Sequence, residues 1–220
     1  MPLFFDRAEA GIALGRAVAR EVGNQPAIVL ALPRGGVPVA LGVAKAIRAP
    51  WDVFLVRKLG TPGREELAVG AISSGGIRVL NRDVIEMWQI PLAAIEAVAS
   101  EELQELERRE RIYRAGRPPL DIANRVAILV DDGLATGASM LAAIQAVRLR
   151  QPSRVMVAVP VAAREALEAV QSAADRVICL ETPDRFCAVG SCYHEFEQVS
   201  DGEVCEMLAA RRALNPASRE

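Results

Sequence analysis

The sequence predicts an α/β fold: a central, mainly parallel sheet flanked by helices. Short, continuous apolar runs such as AIVLAL (Ala27–Leu32) recur along the chain, and such runs are typical of strands buried on both faces. Stretches with the apolar spacing of helices lie between them. Alternating strand and helix favours parallel pairing, because the helix carries the chain back across the sheet. With 220 residues, 51 % hydrophobic and 25 % charged, the chain can build a real core, and one domain over residues 1–220 is expected.

The elements follow in order. Asp6 and Glu9 give an acid-x-x-Glu start to a helix that runs to about Val22. Strand Ala27–Leu32 comes next, then PRGG, a helix from about Val37 to Arg48, and the strand WDVFLV, Trp51–Val56. RKLGTPGREE, rich in Gly, Pro and charge without periodicity, reads as a loop. LAVGAISSGGIRVL reads as a hairpin turning at Ser74-Gly75-Gly76. Asn81 caps a helix that Pro91 interrupts, and a long charged helix spans about Leu92–Arg114 before GRPPLD. Its charges read as a solvated face with (i, i+4) pairs. Strands at Arg125–Val130, Arg154–Val159 and Arg176–Leu180 are separated by helices, and Ser200 with Glu203 starts a terminal helix. Residues 67–120 do not fit the alternation and read as a hairpin and helical insertion over one edge of the fold, a candidate lid.

Bulk properties exclude several classes. The net charge is −2, so no overall basic field points to nucleic acid or an anionic membrane. Lys45 and Lys58 are the only lysines. Four cysteines (Cys179, Cys187, Cys192, Cys205) make no C-x-x-C pair and the chain has one histidine, His194, so no zinc site is expected. MPLFFDRAEAG has no basic n-region and no run reaches membrane-spanning length. A cytoplasmic protein with reduced cysteines is the expectation.

The chemistry concentrates in VDDGLATGAS. Ligands of open parallel sheets bind beyond the carboxyl ends of strands. Asp131 and Asp132 stand at such an end, and Thr136-Gly137-Ala138-Ser139 opens the next helix. A helix N-terminus presents unpaired N–H groups and the positive dipole end to an anion. Two acids beside an anion turn suit one ligand with a phosphate at one end and hydroxyls nearby, such as a ribose 5-phosphate. The carboxylates can also hold Mg²⁺, directly or through water. The plainer alternative is that the acids cap the turn and Thr136 caps the helix.

VDDGLATGAS resembles the phosphoribosyl-pyrophosphate motif of the type I phosphoribosyltransferases. Gly133 departs from it, since an apolar side chain is usual there. LPRGGVPVA, with Arg34, Gly35 and Gly36, is similar to that family's pyrophosphate loop, and VRKLGTPG to the start of the mobile loop in adenine-type members. The resemblance covers about Asp6 to Leu180.

It implies an Mg²⁺-dependent transfer of a phosphoribosyl group from phosphoribosyl pyrophosphate to a nitrogen nucleophile, a nucleobase above all, with release of pyrophosphate. Asp131 and Asp132 would hold the ribose hydroxyls and the metal. Ala135, Thr136, Gly137, Ala138 and Ser139 would grip the 5′-phosphate. Arg34, Gly35, Gly36 and Lys58 would bind the pyrophosphate, with Arg34, Arg57 and Lys58 assisting its departure; a solvated strand end is the equal alternative for Arg57 and Lys58. The 6-oxopurine members carry an aspartate where this chain has Ala135, which argues against hypoxanthine or guanine. The family resemblance also implies a cis peptide at Pro33–Arg34 and admits a homodimer. A hood over the base is expected at residues 182–202, with Phe186 and Tyr193 as candidate base-stacking rings or members of a packed subdomain, and Phe196 as packing. A regulator that binds the donor without turnover is the alternative function. No G-x-x-x-x-G-K-[ST] or G-x-G-x-x-G occurs, which disfavours P-loop and Rossmann readings.

Overall fold

A computed structural model describes residues 2–61, 64–115 and 118–214, without the side chains of 64–68 and 211–214. Five parallel strands form the main sheet: β1 (Ala27–Ala31), β2 (Trp51–Val53), β6 (Val126–Val130), β7 (Arg154–Val161) and β8 (Arg176–Glu181), in the order β2-β1-β6-β7-β8. Every residue of β1 and β6 is buried, as their uninterrupted apolar runs require. Alternation along the strands divides two cores. Val29, Ala31, Ile128 and Val130 face α1 (Arg7–Val22) and α2 (Gly36–Ile47), whereas Ile28, Leu30, Ala127 and Leu129 face α5 (Ala138–Arg148) and α6 (Arg164–Ala173).

A second, antiparallel sheet β3-β4-β5 comprises Val56–Thr61, Arg64–Ser73 and Ile77–Leu80. This corrects two expectations. WDVFLV is not one strand: after Val53 the chain leaves the parallel sheet, and Val56 begins β3. RKLGTPGREE is not a loop but the β3–β4 pair, apart from residues 62–63, which lie outside the described residues, as do residues 116–117 of the candidate lid. Local pattern hid β3 because it is held from outside: Leu59 is fully buried where α4 (Leu92–Arg114) and α5 pack on the strand. The β4–β5 hairpin turns where expected, and Gly75 and Gly76 adopt φ of 83° and 72°, open to glycine at no steric cost.

The helix boundaries follow local chemistry. Asp6 Oδ1 accepts from the Glu9 amide at 2.7 Å, and the Asn81 side-chain carbonyl accepts from the Val84 amide at the start of α3 (Arg82–Met87). Pro91 separates α3 from α4. Ser200 and Glu203 bond reciprocally at the start of α7 (Asp201–Leu214). Among the described residues no helix is long and apolar enough to cross a membrane.

One buried ion pair locks α4 to the main sheet. Arg114 Nη1 donates to Asp52 Oδ2 at 2.6 Å and Nη2 to the Val53 carbonyl at 2.9 Å, with both charged side chains at least nine-tenths buried. Removing one partner strands the other charge in the interior. Arg114→Met is therefore expected to lower unfolding stability by roughly 3–5 kcal/mol, read from urea denaturation. A loss below about 1 kcal/mol would show that this pair does not anchor the helix.

Candidate active site at the carboxyl ends of β1 and β6

β1 and β6 are neighbours in register, Ala31 opposite Val130. The segments that leave them therefore emerge side by side. Leu32 extends the pairing, its amide donating to the Val130 carbonyl at 2.9 Å. The Pro33–Arg34 peptide is cis, as the resemblance implies. The two glycines that follow lie against the acids: a Cβ at Gly35 would sit 2.6 Å from Asp132 Cγ, and one at Gly36 would sit 2.8 Å from Asp131 Cα. Their smallness permits close approach of the PRGG segment to the acid pair.

The small-residue turn forms where expected. Leu134 anchors it: its amide donates to the Val161 carbonyl and its carbonyl accepts from the Ala163 amide, both at 2.9 Å. Gly137 takes φ 75° and turns the chain into α5. Ala135, Thr136, Ala138 and Ser139 are exposed, so the first turn of α5 opens to the outside, with the Ala138 amide donating to Thr136 Oγ1 at 3.4 Å.

The two acids face different surroundings. Asp131 accepts the Asp132 amide at 2.9 Å and lines a cleft. Burial pushes its carboxyl well above the usual carboxylate range, and the Asp132 charge adds to the shift. Asp132 is held elsewhere. Its Oδ2 accepts from Arg7 Nε at 2.8 Å, and Arg7 Nη1 donates to the Glu197 carbonyl at 2.8 Å. The Arg7 guanidinium lies 3.7 Å from the Phe196 ring centre, and the Tyr193 hydroxyl donates to the Asp132 carbonyl at 2.6 Å.

Segment 182–202 is thus bound to the acid pair from behind. Tyr193 is 4 % exposed, and burial pushes its hydroxyl far up from its ordinary range. Tyr193 and Phe186 pack with Phe4, Ala10, Val161 and Cys192. Tyr193 thus takes the packed-subdomain alternative and uses its hydroxyl on the motif backbone, and the half-buried Phe186 packs against the same small core. Phe196 stacks on Tyr193 at 5.1 Å, the packing role expected of it. His194 is exposed and stacks on Phe5. The departure at Gly133 has a steric counterpart: a Cβ there would lie 2.7 Å from Val189 and 2.8 Å from Val161, so Val189 of this segment occupies the space.

A cleft of about 90 Å³ is lined by Asp131 and Ser139 of the motif, by Pro33, by Arg57 of β3 and by Leu106 and Arg109 of α4. Arg57 belongs to β3 and pairs with Glu102 of α4. Arg109 Nε pairs with Glu105 Oε1 at 2.7 Å. The side-chain hydrogen bonds of Arg108 and Arg109 hold the Glu105 carboxyl down at about 2. Arg34 Nη1 lies 3.8 Å from Asp201 Oδ1, which also accepts the Tyr113 hydroxyl at 2.5 Å. Lys58, next to Arg57 on the strand, is not among the residues that line this cleft.

Two residues that sequence reasoning passed over stand here. Arg7 carries a visible signal: a cation in the first turn of a helix opposes the dipole and needs another partner. Arg109 carries one in spacing. Ile95, Ala99, Leu106 and Tyr113 form the buried stripe of α4, and Glu102 and Arg109 fall at its missing heptad positions.

Among the described residues no group of three or more His, Cys, Asp or Glu could hold a metal. With Asp132 engaged by Arg7, Asp131 is the carboxylate that faces the cleft. That donor set fits Mg²⁺ whose other ligands come from a phosphorylated substrate and water, not an all-protein cage.

The family described as "Phosphoribosyl transferase domain" matches residues 7–197. The chain belongs to this phosphoribosyl transferase domain family. It is 42 % identical to TT1426 from Thermus thermophilus, whose crystal structure superposes with a TM-score of 0.87 over 96 % of this chain and 99 % of that one. A Mycobacterium tuberculosis protein, named provisionally as a phosphoribosyl transferase, is 46 % identical over 208 residues, 94 % of this chain and 47 % of that protein. The chain therefore spans about half the length of the curated relative it matches. A uracil phosphoribosyltransferase of Acinetobacter baylyi is 35 % identical over 83 residues, 38 % of each chain.

The phosphoribosyl transferase acid pair has a measurable asymmetry. Asp131 is a carboxyl whose folded value is raised, so its ionised form costs stability at every pH above that value, and the cost fades as pH falls through it. Asp131→Asn keeps the oxygen that accepts the Asp132 amide and removes that cost. The ligand-free protein is expected to melt higher at pH 7, by about 2–4 °C for each kcal/mol recovered. Asp132→Asn loosens Arg7 and is expected to melt lower. The reverse order of midpoints in differential scanning calorimetry would refute this division.

Proposed function

We propose that this domain transfers a phosphoribosyl group from phosphoribosyl pyrophosphate to a nitrogen nucleophile, a nucleobase, with release of pyrophosphate. One observation carries the reading: Asp131 and Ser139, from the two halves of VDDGLATGAS, line one cleft whose opposite wall bears Arg57. A donor with a 5′-phosphate, ribose hydroxyls and a diphosphate matches that arrangement group by group.

In this reading the turn Ala135–Ser139 binds the 5′-phosphate through the N–H groups of α5 and the hydroxyls of Thr136 and Ser139. Asp131 accepts from a ribose hydroxyl. The positive charge that develops on the ribose ring as the C1′–oxygen bond lengthens would be stabilised by the Asp131 carboxylate. Asp132, fixed by Arg7, keeps the motif backbone in place and limits the negative charge the donor meets. Arg34, Gly35 and Gly36 would bind the departing diphosphate, with Arg57 and Lys58 of β3 assisting it. Bound Mg²⁺ would supply charge neutralisation for the leaving diphosphate. Ala135 has no group that accepts a proton, which supports an acceptor other than hypoxanthine or guanine. The local likeness to a uracil enzyme makes uracil a first choice to test.

The test is a panel of adenine, uracil, hypoxanthine and guanine with phosphoribosyl pyrophosphate and Mg²⁺, measuring pyrophosphate release. Release is expected with adenine or uracil and is expected to vanish in Asp131→Asn. Tight donor binding with no release for any base would make the domain a donor-binding module instead of a transferase.

A further inference from the structure

The inward stripe of α4 runs Ile95, Ala99, Glu102, Leu106, Arg109, Tyr113, a 4-3-4-3-4 spacing that keeps one helix face toward the body of the protein. Four of these residues are buried, but two positions on the same stripe carry charge. Glu102 and Arg109 are only 25 % and 29 % exposed in their side chains. An apolar residue at either position would pack this face more cheaply. Both charges are engaged at the cleft: Glu102 holds Arg57, and Glu105 holds Arg109. The cleft between them and the motif, about 90 Å³, is narrower than the ~300 Å³ at which small-molecule pockets begin.

We propose that Arg109, a residue of the inserted helix, binds the diphosphate end of the phosphoribosyl donor together with Arg57, and that Glu102 and Glu105 are exchange partners that hold the two guanidinium groups until the anion arrives. The proposal rests on the donor reading above and adds a binding residue and a mechanism of admission to it. An arginine fork accepts a carboxylate or a phosphate in the same planar geometry, so one can replace the other without a new side-chain shape. A diphosphate brings more charge than a single carboxylate, which drives the exchange. Swinging Arg57 away from Glu102 and Arg109 away from Glu105 onto the ligand also opens the cleft. The pairs cover the two cations, which would otherwise repel one another across a narrow space.

Calorimetric titration with inorganic pyrophosphate, and separately with phosphoribosyl pyrophosphate and Mg²⁺, tests this on the whole chain. Arg109→Gln is expected to weaken both about ten- to hundredfold, with Arg109→Lys between it and the parent. Glu105→Gln, which releases Arg109, is expected to tighten pyrophosphate about two- to fivefold. A parent protein that binds the donor while Arg109→Gln binds it within about twofold of the parent overturns this inference and leaves the donor reading standing. A parent that binds neither ligand overturns both. Should Arg109→Gln fail to fold, Glu105→Gln decides alone, and unchanged or weaker pyrophosphate binding in it overturns the inference.

Discussion

Two adjacent carboxylates at the end of a strand buried on every side cannot both be ionised without a counter-charge. That electrostatic constraint organises this molecule. Arg7 meets it by reaching from the first turn of α1 to Asp132, and its guanidinium is itself fixed by the Glu197 carbonyl and the face of Phe196. The beginning of the described chain, the motif in its middle and the segment after β8 are thereby joined through one side chain. The aromatic residues of 182–202 are committed to this junction. Among the described residues Asp131 makes no ion pair of this kind, and burial keeps its carboxyl resistant to ionisation. The pair reads alike in sequence but is divided in space, one acid facing the cleft and the other holding the scaffold behind it.

The same economy governs the opposite wall. The antiparallel sheet and α4 enclose the motif from the side away from Arg7, and α4 is tied to the main sheet by the buried Arg114–Asp52 pair. Between those anchors, α4 turns charged residues inward. Arg57 and Arg109 at the cleft, and Arg34 after β1, each meet a carboxylate from α4 or α7. Such pairs contribute little stability where water reaches them. Their value here is electrostatic balance around a small polar space.

Much of the fold was legible because its signals are local. Uninterrupted apolar runs named the buried parallel strands. Asp6, Asn81, Pro91 and Ser200 with Glu203 placed helix ends, and Leu92–Arg114 came out with both boundaries as observed. VDDGLATGAS and PRGG located the acids and the turn, and the cis bond at Pro33–Arg34 followed from resemblance. What was missed depends on partners distant in the chain. β3 looked like a loop because Arg57, Lys58 and Gly60 carry no apolar alternation, and its order comes from α4 and α5. For Phe186 and Tyr193 base stacking and a packed subdomain stayed open, because composition cannot tell a small core from a binding face. The charges of α4 looked solvated because charge alone does not reveal which positions fall on the buried stripe.

The sequence by itself determined the parallel sheet, the turn into α5 and the presence of two acids beside it, since each is specified within a few consecutive residues by apolar burial, glycine backbone freedom and helix-end chemistry. Only the tertiary structure decided which acid faces the cleft, which arginine neutralises the other and which cations line the opposite wall. Those assignments are set by contacts such as Arg7 to Asp132 and Arg57 to Glu102, between residues far apart along the chain. Electrostatic balance in a buried site depends on distances in space, and no local pattern encodes them.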